Sequence, residues 1–368
     1  MIGNSIENGT MTAMKFVCRL LAVIPLALGN ASVAQQFAGQ NITMIVNYSP
    51  GGPTDIDARI VARHLPKHLQ GVSSVIVRNV GGAGGNIGVN QLGEAPARDR
   101  LNIGFFTWDP LDQLTQNPNL RVRYNDLKFI AGFQQGSLIY IRRDAAPGIA
   151  KPADVARARP FRAGALAPTS HATFRMRLAL DLLGARYEII PGYKGLRDIE
   201  VAVLQGDIQM THNSFSGWYG SVIPTLVDSG IVIAVLQYDH NRADGSLTRS
   251  PDAPEVPAFF EVYKEVWGKD AVPSGEKWQA LQIIGRIMDS MGRTVFMPPN
   301  APAAAVEEMR GAMEKLAKDP EYVADYEKVV KFKPRFIVGA EGERIIAELG
   351  NVSPSFVKFL REYLQEKK

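Results

Sequence analysis

The sequence has very little cysteine, no long block of like charge and no long apolar stretch. Cys18 is the single cysteine in 368 residues, and it lies close to the N-terminus. The rest of the chain therefore has no thiol for catalysis, for disulfides or for thiolate metal sites. The 41 basic and 37 acidic residues give a formal net charge of +4, and no five like charges are consecutive. This distribution argues against a nucleic-acid partner.

The overall composition is that of a folded globular protein, with 46% hydrophobic and 21% charged residues. A chain of 368 residues is long enough for two domains. No stretch reaches the roughly 20 apolar residues needed to cross a bilayer.

The N-terminus has the pattern of a secretory signal peptide. Lys15 and Arg19 precede the apolar stretch 20–28, and the small-residue site Ser32–Ala34 follows. Translation from Met14 would fit this pattern more closely. We therefore predict a signal peptide over residues 1–34 and a soluble, exported, periplasmic protein. The alternative is a buried N-terminal helix.

Short apolar runs alternate with helical patterns along the remaining chain. The runs 42–46, 72–77 and 101–106 are each followed by a helical pattern, and the middle of the chain repeats this order. The C-terminal third is rich in helices, with one apolar face at Val306, Met309, Met313 and Leu316, and another at Phe356, Leu360, Tyr363 and Leu364. This alternation predicts an α/β fold with a mainly parallel sheet covered on both faces.

Three loops each follow a predicted strand and open a helix: Ser49–Asp55, Gly81–Asn86 and Ala167–His171. Such loops present free backbone N–H groups and the positive end of a helix dipole to an anion. Ordinary helix capping is the alternative explanation for each loop taken alone. Three of them at the ends of strands favour a shared crevice that binds a carboxylate or a phosphate.

Catalytic, cofactor and metal motifs are absent from the sequence. Gly82, Gly84 and Gly88 are spaced one residue too long for a dinucleotide fingerprint, and Ser170 lies in no G-x-S-x-G motif. His64 and His68 have the i, i+4 spacing of a possible metal-binding pair, but Pro66 lies between them and would disturb the helix that such a pair requires. We expect a protein that is not an enzyme and that has no cofactor or metal site.

The segments 46–59 and 79–88 resemble the paired signature of the Bug family, the extracytoplasmic, TctC-like solute receptors of tripartite tricarboxylate transporters. The resemblance continues through the segments 191–195, 205–210, 253–257 and 297–302, in the family's order. It implies a two-lobed periplasmic-binding-protein fold, type II-like, with a hinge between the lobes. It also implies a ligand held largely by backbone N–H groups, hydroxyls and water rather than by a fixed arginine.

On this basis we predict lobe 1 over 41–142 plus 240–368 and lobe 2 over 143–239, joined near Arg142 and Tyr238. The predicted ligand is a small organic carboxylate: a di- or tricarboxylate, an aromatic acid or an amino acid. The predicted partners are the membrane permease subunits of such a transporter, and the receptor itself is expected to be a monomer. One alternative function is a periplasmic sensor for a two-component system. Another is a periplasmic hydrolase, against which the absence of a nucleophile–base pair in the sequence argues.

The predicted ligand-binding residues combine the three loops with nearby polar and aromatic positions. They are Ser49, Gly51, Gly52, Pro53, Thr54, Asp55, Ala83, Gly84, Gly85, Asn86, Trp108, Asp109, Thr169, Ser170, His171, Tyr193 and Asn213. The chain departs from the family pattern in the loop 165–170, at Asn213, where aspartate is common, and in an extra stretch over 278–293.

Overall fold

The computed structural model describes residues 36–241 and 246–365. The predicted signal peptide over 1–34 lies outside the described residues. Among the described helices, none combines the length and the apolar character that a membrane crossing requires.

The first sheet has six strands in the order β13-β4-β12-β3-β1-β2. Strand β1 is buried over most of its length and pairs in parallel with β2 and β3, while β12 is antiparallel to β3 and β4. Edge strand β2 alternates in exposure, as expected where one face is open to water. The strands are β1 (Asn41–Val46), β2 (Ser74–Asn79), β3 (Asn102–Phe106), β4 (Lys128–Phe133), β12 (Arg293–Met297) and β13 (Phe336–Val338).

The second sheet has five strands in the order β7-β6-β8-β5-β9. Strand β6 is parallel to β7 and β8, whereas β5 is antiparallel to β8 and β9. Both sheets are therefore mixed, and the prediction of a mainly parallel sheet was wrong in this respect. The strands are β5 (Ser137–Arg142), β6 (Phe161–Gly164), β7 (Tyr187–Ile190), β8 (Met210–Ser214) and β9 (Val232–Gln237), and a separate two-stranded ribbon pairs β10 (His240–Asn241) with β11 (Leu247–Thr248).

Helices cover both sheets. Helix α1 begins directly after Gly52, with Pro53 at its first position, Asp55 in its first turn and basic residues in its last. The helices are α1 (Pro53–His64), α2 (Asn86–Gly93), α3 (Pro110–Thr115), α4 (His171–Leu182), α5 (Leu196–Gln205), α6 (Phe215–Gly217), α7 (Phe259–Trp267), α8 (Gly275–Ser290), α9 (Ala303–Leu316), α10 (Pro320–Val330), α11 (Ala340–Glu348) and α12 (Pro354–Gln365). A π-helix (Trp218–Val227) continues α6, and short 3₁₀ turns occupy 65–68, 83–85, 124–126, 152–157 and 349–351.

We call the six-stranded sheet with its helices the first lobe, and the five-stranded sheet with its helices the second lobe. The chain passes from β4 to β5 through residues 134–136 alone, so strand 137–142 belongs to the second sheet and not to lobe 1 as predicted. Helix α8 packs on α4, and α7 packs on the turn 152–157 and on β9, so this part of the predicted lobe 1 lies with the second sheet. The chain returns to the first sheet at β12.

The predicted apolar faces of the C-terminal helices are confirmed. Val306, Met309, Met313 and Leu316 are buried on α9, and Phe356, Leu360 and Tyr363 are buried on α12. Helix α12 packs against α3 and α8. The C-terminal helices therefore complete the two sheets rather than forming a domain of their own.

Candidate ligand-binding site

A small buried cavity of about 60 Å³ lies between the two sheets. It is bounded by the carboxyl ends of β1, β3, β6 and β8 and by the first residues of the antiparallel strands β5 and β12. Open α/β sheets bind their ligands at this edge. The lining residues are Tyr48, Gly52, Pro53, Thr54, Thr107, Gln135, Gly136, Ser137, Leu166, Ser170, His171, Ala172, Arg175, Leu196, His212, Ser214, Tyr238, Met288, Gly292 and Arg293.

Five of the predicted site residues line this cavity: Gly52, Pro53 and Thr54 at the start of α1, and Ser170 and His171 at the start of α4. The Thr54 hydroxyl lies 2.7 Å from that of Thr107 and makes no capping bond within its helix. The Ser170 hydroxyl accepts a hydrogen bond from the N–H of Thr173 and caps α4. The two hydroxyls therefore have different local roles at the same cavity.

The other predicted residues of the first loop hold its shape and join the lobes. Asp55 accepts hydrogen bonds of 2.8 Å from the backbone N–H of Gly51 and from Nε of Arg59. The Ser49 hydroxyl donates to Asp198 of α5 at 2.9 Å, across the gap between the lobes. None of these three predicted residues, Ser49, Gly51 and Asp55, lines the cavity.

The glycine-rich loop also lies beside the cavity rather than in its wall. Gly84 and Gly85 have positive φ angles of 68° and 101°, and the Tyr48 hydroxyl donates to the Gly84 carbonyl at 2.7 Å. A Cβ atom on Gly84 would lie 2.9 Å from the Cβ of Ala167 in the second lobe. The close approach of the two loops therefore requires glycine at this position, and the ligand contact predicted for Gly84 stays a prediction. Ala83 precedes these glycines with φ 49°, and neither it nor Asn86 lines the cavity.

Asp109 and Thr169 take part in contacts between the lobes. Asp109 Oδ2 accepts hydrogen bonds from the backbone N–H of His171 at 2.8 Å and pairs with its Nδ1 at 3.2 Å. Asp112 accepts from Asn86 at 2.8 Å and from the Thr169 hydroxyl at 3.2 Å. Burial, and then the neighbouring Asp109, raise the pKa of Asp112 to about 7.

Three further predicted residues contact other parts of the protein and not the cavity. Trp108 is fully buried, and its Nε1 donates to the carbonyl of Met291. Asn213 is buried and donates to Glu200 at 2.9 Å. Tyr193 is partly buried against the core. None of Trp108, Asn213 and Tyr193 lines the cavity.

Arg293, which the sequence analysis did not select, forms a buried ion pair in the cavity wall. Its Nε lies 3.1 Å from Asp57 Oδ2, and its Nη2 donates to Ser214 at 2.8 Å. Asp57 also accepts from the hydroxyls of Ser216 at 3.0 Å and Tyr326 at 3.2 Å. The charge of this arginine is therefore balanced within the protein.

Arg175 is a second buried arginine that the sequence analysis missed. Its guanidinium lies 3.9 Å from the centre of the Tyr238 ring, and Nη1 contacts Ser137 at 3.4 Å and Asp289 at 3.2 Å. Burial, and then the electrostatic influence of neighbours that include Arg175 and Arg293, lowers the pKa of His212 to about 3. The sequence signal was the i, i+4 spacing of His171 and Arg175, which places both on one face of α4.

Within the residues that the structure describes, no cluster of three or more histidine, cysteine, aspartate or glutamate side chains could hold a metal ion. The chemistry that the cavity offers is hydrogen bonding from hydroxyls and amides, with positive charge from arginine.

No protein-family profile matches the chain. BugT of Bordetella pertussis is 39% identical over 84 residues, which are 22% of this chain and 25% of BugT, so this match spans about a quarter of that relative. A UPF0065 protein of Pseudomonas sp. strain P51, from the tcbD-tcbE intergenic region, is 26% identical over 324 residues and 83% of each chain. This chain is similar in sequence to BugT and to the UPF0065 protein over these ranges.

Solved structures of Bug-like proteins share its fold. The periplasmic binding protein BugD is similar with a TM-score of 0.65 at 19% identity, over 90% of this chain and 100% of BugD. MatC of Rhodopseudomonas palustris, solved with bound malate, has a TM-score of 0.61 at 16% identity, over 89% of this chain and 100% of MatC. The predicted α/β, two-lobed periplasmic-binding-protein fold is confirmed.

Proposed function

We propose that this protein is an extracytoplasmic solute-binding receptor that encloses a small organic carboxylate between its two lobes. The observation that carries the proposal is the buried cavity at the meeting edge of the two sheets, where hydroxyl groups and buried guanidinium groups come together. Such a cavity suits an anion, because hydrogen bonds to a charged group contribute about twice as much as those between neutral groups.

The contacts around the cavity support capture by closure of the lobes. Ser49 bonds to Asp198, and Asp109 bonds to His171, so each lobe contributes one partner to each pair. Binding proteins of this architecture close around ligands by hinge motion. A cavity of about 60 Å³ favours a small solute.

The relatives support the same class of ligand, since MatC was solved with malate. We propose a periplasmic location, reached by cleavage of the N-terminal signal peptide. Delivery of the solute to the membrane permease subunits of a tripartite tricarboxylate transporter completes the proposal.

A thermal-shift screen followed by calorimetric titration tests this function. The panel comprises mono-, di- and tricarboxylates, aromatic acids and amino acids, with inorganic phosphate and a neutral sugar as comparison compounds. A carboxylate at 100 times its Kd should raise the free energy of unfolding by about 2.7 kcal/mol. Stabilisation by none of the acids, or steady conversion of a bound ester or amide, would contradict the proposal.

A blocked cavity provides the matched variant. Ala172 lines the cavity at the start of α4, so Ala172→Leu should remove binding because the larger side chain occupies the ligand's space. Ala304→Leu places the same side chain at an exposed position of α9 and should leave affinity unchanged. Equal affinity in both variants would show that the ligand binds elsewhere.

A further inference from the structure

We propose that Arg175 binds a second acidic group of the ligand, so that the receptor selects short dicarboxylates over monocarboxylates. This inference rests on the proposed function and assigns a specificity-determining role to one residue of that site.

Arg175 is buried, but its guanidinium is only partly satisfied by the protein. The residue is 2% exposed, and its Nε has no hydrogen-bond partner among the described residues. Its two polar contacts, to Ser137 and Asp289, both involve Nη1 and are long, at 3.4 and 3.2 Å. A buried charge without full hydrogen bonding is costly unless a further partner binds it. The planar guanidinium fork matches a carboxylate in geometry and in charge.

Arg293 shows what a fully partnered arginine looks like in the same cavity wall. Its Nε and Nη2 bind Asp57 and Ser214, and Asp57 is itself held by further donors. The carboxylate of Asp109 is likewise engaged by His171. Among the described residues, Asp289 is the one carboxylate within ion-pair distance of Arg175, and Nε of Arg175 has no partner there.

The surroundings of Arg175 contain further polar atoms that have no partner in the described part of the chain. These are Gln135 Oε1, His212 Nδ1 and the Tyr238 hydroxyl, and all three residues line the cavity. The Arg175 guanidinium also lies over the Tyr238 ring, 3.9 Å from its centre. Unpartnered polar atoms on residues that line one cavity indicate a polar ligand there.

The first lobe offers a separate set of donors at the start of α1. Gly52, Pro53 and Thr54 line the cavity there, where the helix presents backbone N–H groups. A ligand with an acidic group at each end could occupy both sets at once. The small volume of the cavity favours a short carbon chain between the two groups.

The experiment compares diacids with their half-amides, in which a neutral amide of the same size replaces one carboxylate. Malonate, succinate, glutarate and adipate are titrated with their half-amides against the wild-type protein, Arg175→Gln and Arg177→Gln. The wild-type protein should bind its preferred diacid at least about tenfold more tightly than the half-amide. In Arg175→Gln this ratio should fall close to one, while the affinity for the half-amide changes little.

Arg177 is the matched control because it is also buried on α4, but it contacts Tyr363 instead of the cavity. Arg177→Gln should keep the wild-type ratio. Should Arg175→Gln fail to fold by circular dichroism, Arg175→Lys replaces it and should lower the ratio at least about threefold, because a point charge lacks the guanidinium fork.

The outcomes separate this inference from the proposed function. An unchanged ratio in the Arg175 variant, or a wild-type protein that binds monocarboxylates as tightly as diacids, would overturn the role of Arg175 and leave the receptor function standing. Failure of every acid to bind would instead overturn the proposed function.

Discussion

The carboxylate of Asp109 in the first lobe accepts a 2.8 Å hydrogen bond from the backbone N–H of His171 in the second lobe. The same carboxylate accepts from the N–H of Leu111 at 3.1 Å and caps α3. One side chain therefore starts a helix in one lobe and holds the first residue of a helix in the other. Because the bond joins the two lobes, it stabilises the closed arrangement.

We expect Asp109→Ala to weaken carboxylate binding at least about tenfold, because the closed form loses a charged hydrogen bond worth about 1.5–3 kcal/mol. Calorimetric titration measures the affinity, and small-angle scattering of the ligand-free protein should show a more open average shape. Asp319→Ala is the control, since Asp319 caps α10 without a contact between the lobes. Asp319→Ala should lower only the melting temperature. Equal losses of affinity in both variants would show that the Asp109–His171 hydrogen bond does not stabilise the closed form.

We expect Gly84→Ala to weaken binding because its Cβ would lie 2.9 Å from Ala167 and hold the lobes apart. Gly230→Ala is the control, since Gly230 has a similar φ of 71° and open space around its Cβ. Both substitutions should cost about 1–2 kcal/mol of stability from the left-handed backbone. Affinity should fall only in Gly84→Ala, and an unchanged affinity there would show that the loops need not meet.

The sequence predicted the parts of this site that depend on local signals. Gly52, Pro53 and Thr54 follow a strand and open a helix, and this pattern located one wall of the cavity. The buried arginines were missed because burial of a charged side chain depends on distant partners: Arg293 meets Asp57, and Arg175 meets Tyr238. The i, i+4 spacing of His171 and Arg175 indicates a shared helix face, but no local pattern encodes the distant partners.

Two other differences between the predicted and the observed structure also arise from contacts between distant parts of the chain. The glycines of the loop 81–85 were interpreted as space for a ligand, but at Gly84 the close approach to Ala167 also requires glycine. Strand β5 was assigned to the first lobe, but it pairs in the second sheet. Its partner strands β8 and β9 are more than 60 residues further along the chain, so local sequence could not specify the pairing.

We expect the two hydroxyls of the cavity wall to respond differently to removal. Ser170→Ala should cost about 1 kcal/mol of stability and leave affinity unchanged, since the hydroxyl caps α4. Thr54→Val keeps the side-chain shape and removes a hydroxyl that caps nothing. It should weaken carboxylate binding by roughly threefold to tenfold, the loss of a hydrogen bond worth about 0.5–1.5 kcal/mol. Calorimetric titrations and melting curves of both variants would contradict this assignment if they showed the reverse pattern.

Asp239 should make the stability of the protein depend on pH. Burial raises its pKa from 3.8 to about 7. Its Oδ1 accepts a hydrogen bond from the N–H of Phe260 at 2.9 Å, while Oδ2 has no partner within the described residues. A carboxyl group with a raised pKa binds its proton more tightly in the folded protein than in the unfolded chain. Its contribution to stability is therefore complete below about pH 4 and is lost as the pH rises through about 7.

We expect Asp239→Asn to reduce the loss of unfolding free energy between pH 5 and pH 8, because an amide does not titrate and can still accept from Phe260. One group can change the slope by at most about 1.4 kcal/mol per pH unit. Urea unfolding at several pH values measures the slope for the wild-type protein and the variant. Asp228→Asn, at an exposed position, is the control and should follow the wild-type curve. If the Asp239→Asn curve ran parallel to that of the wild-type protein, the raised pKa of Asp239 would be disproved.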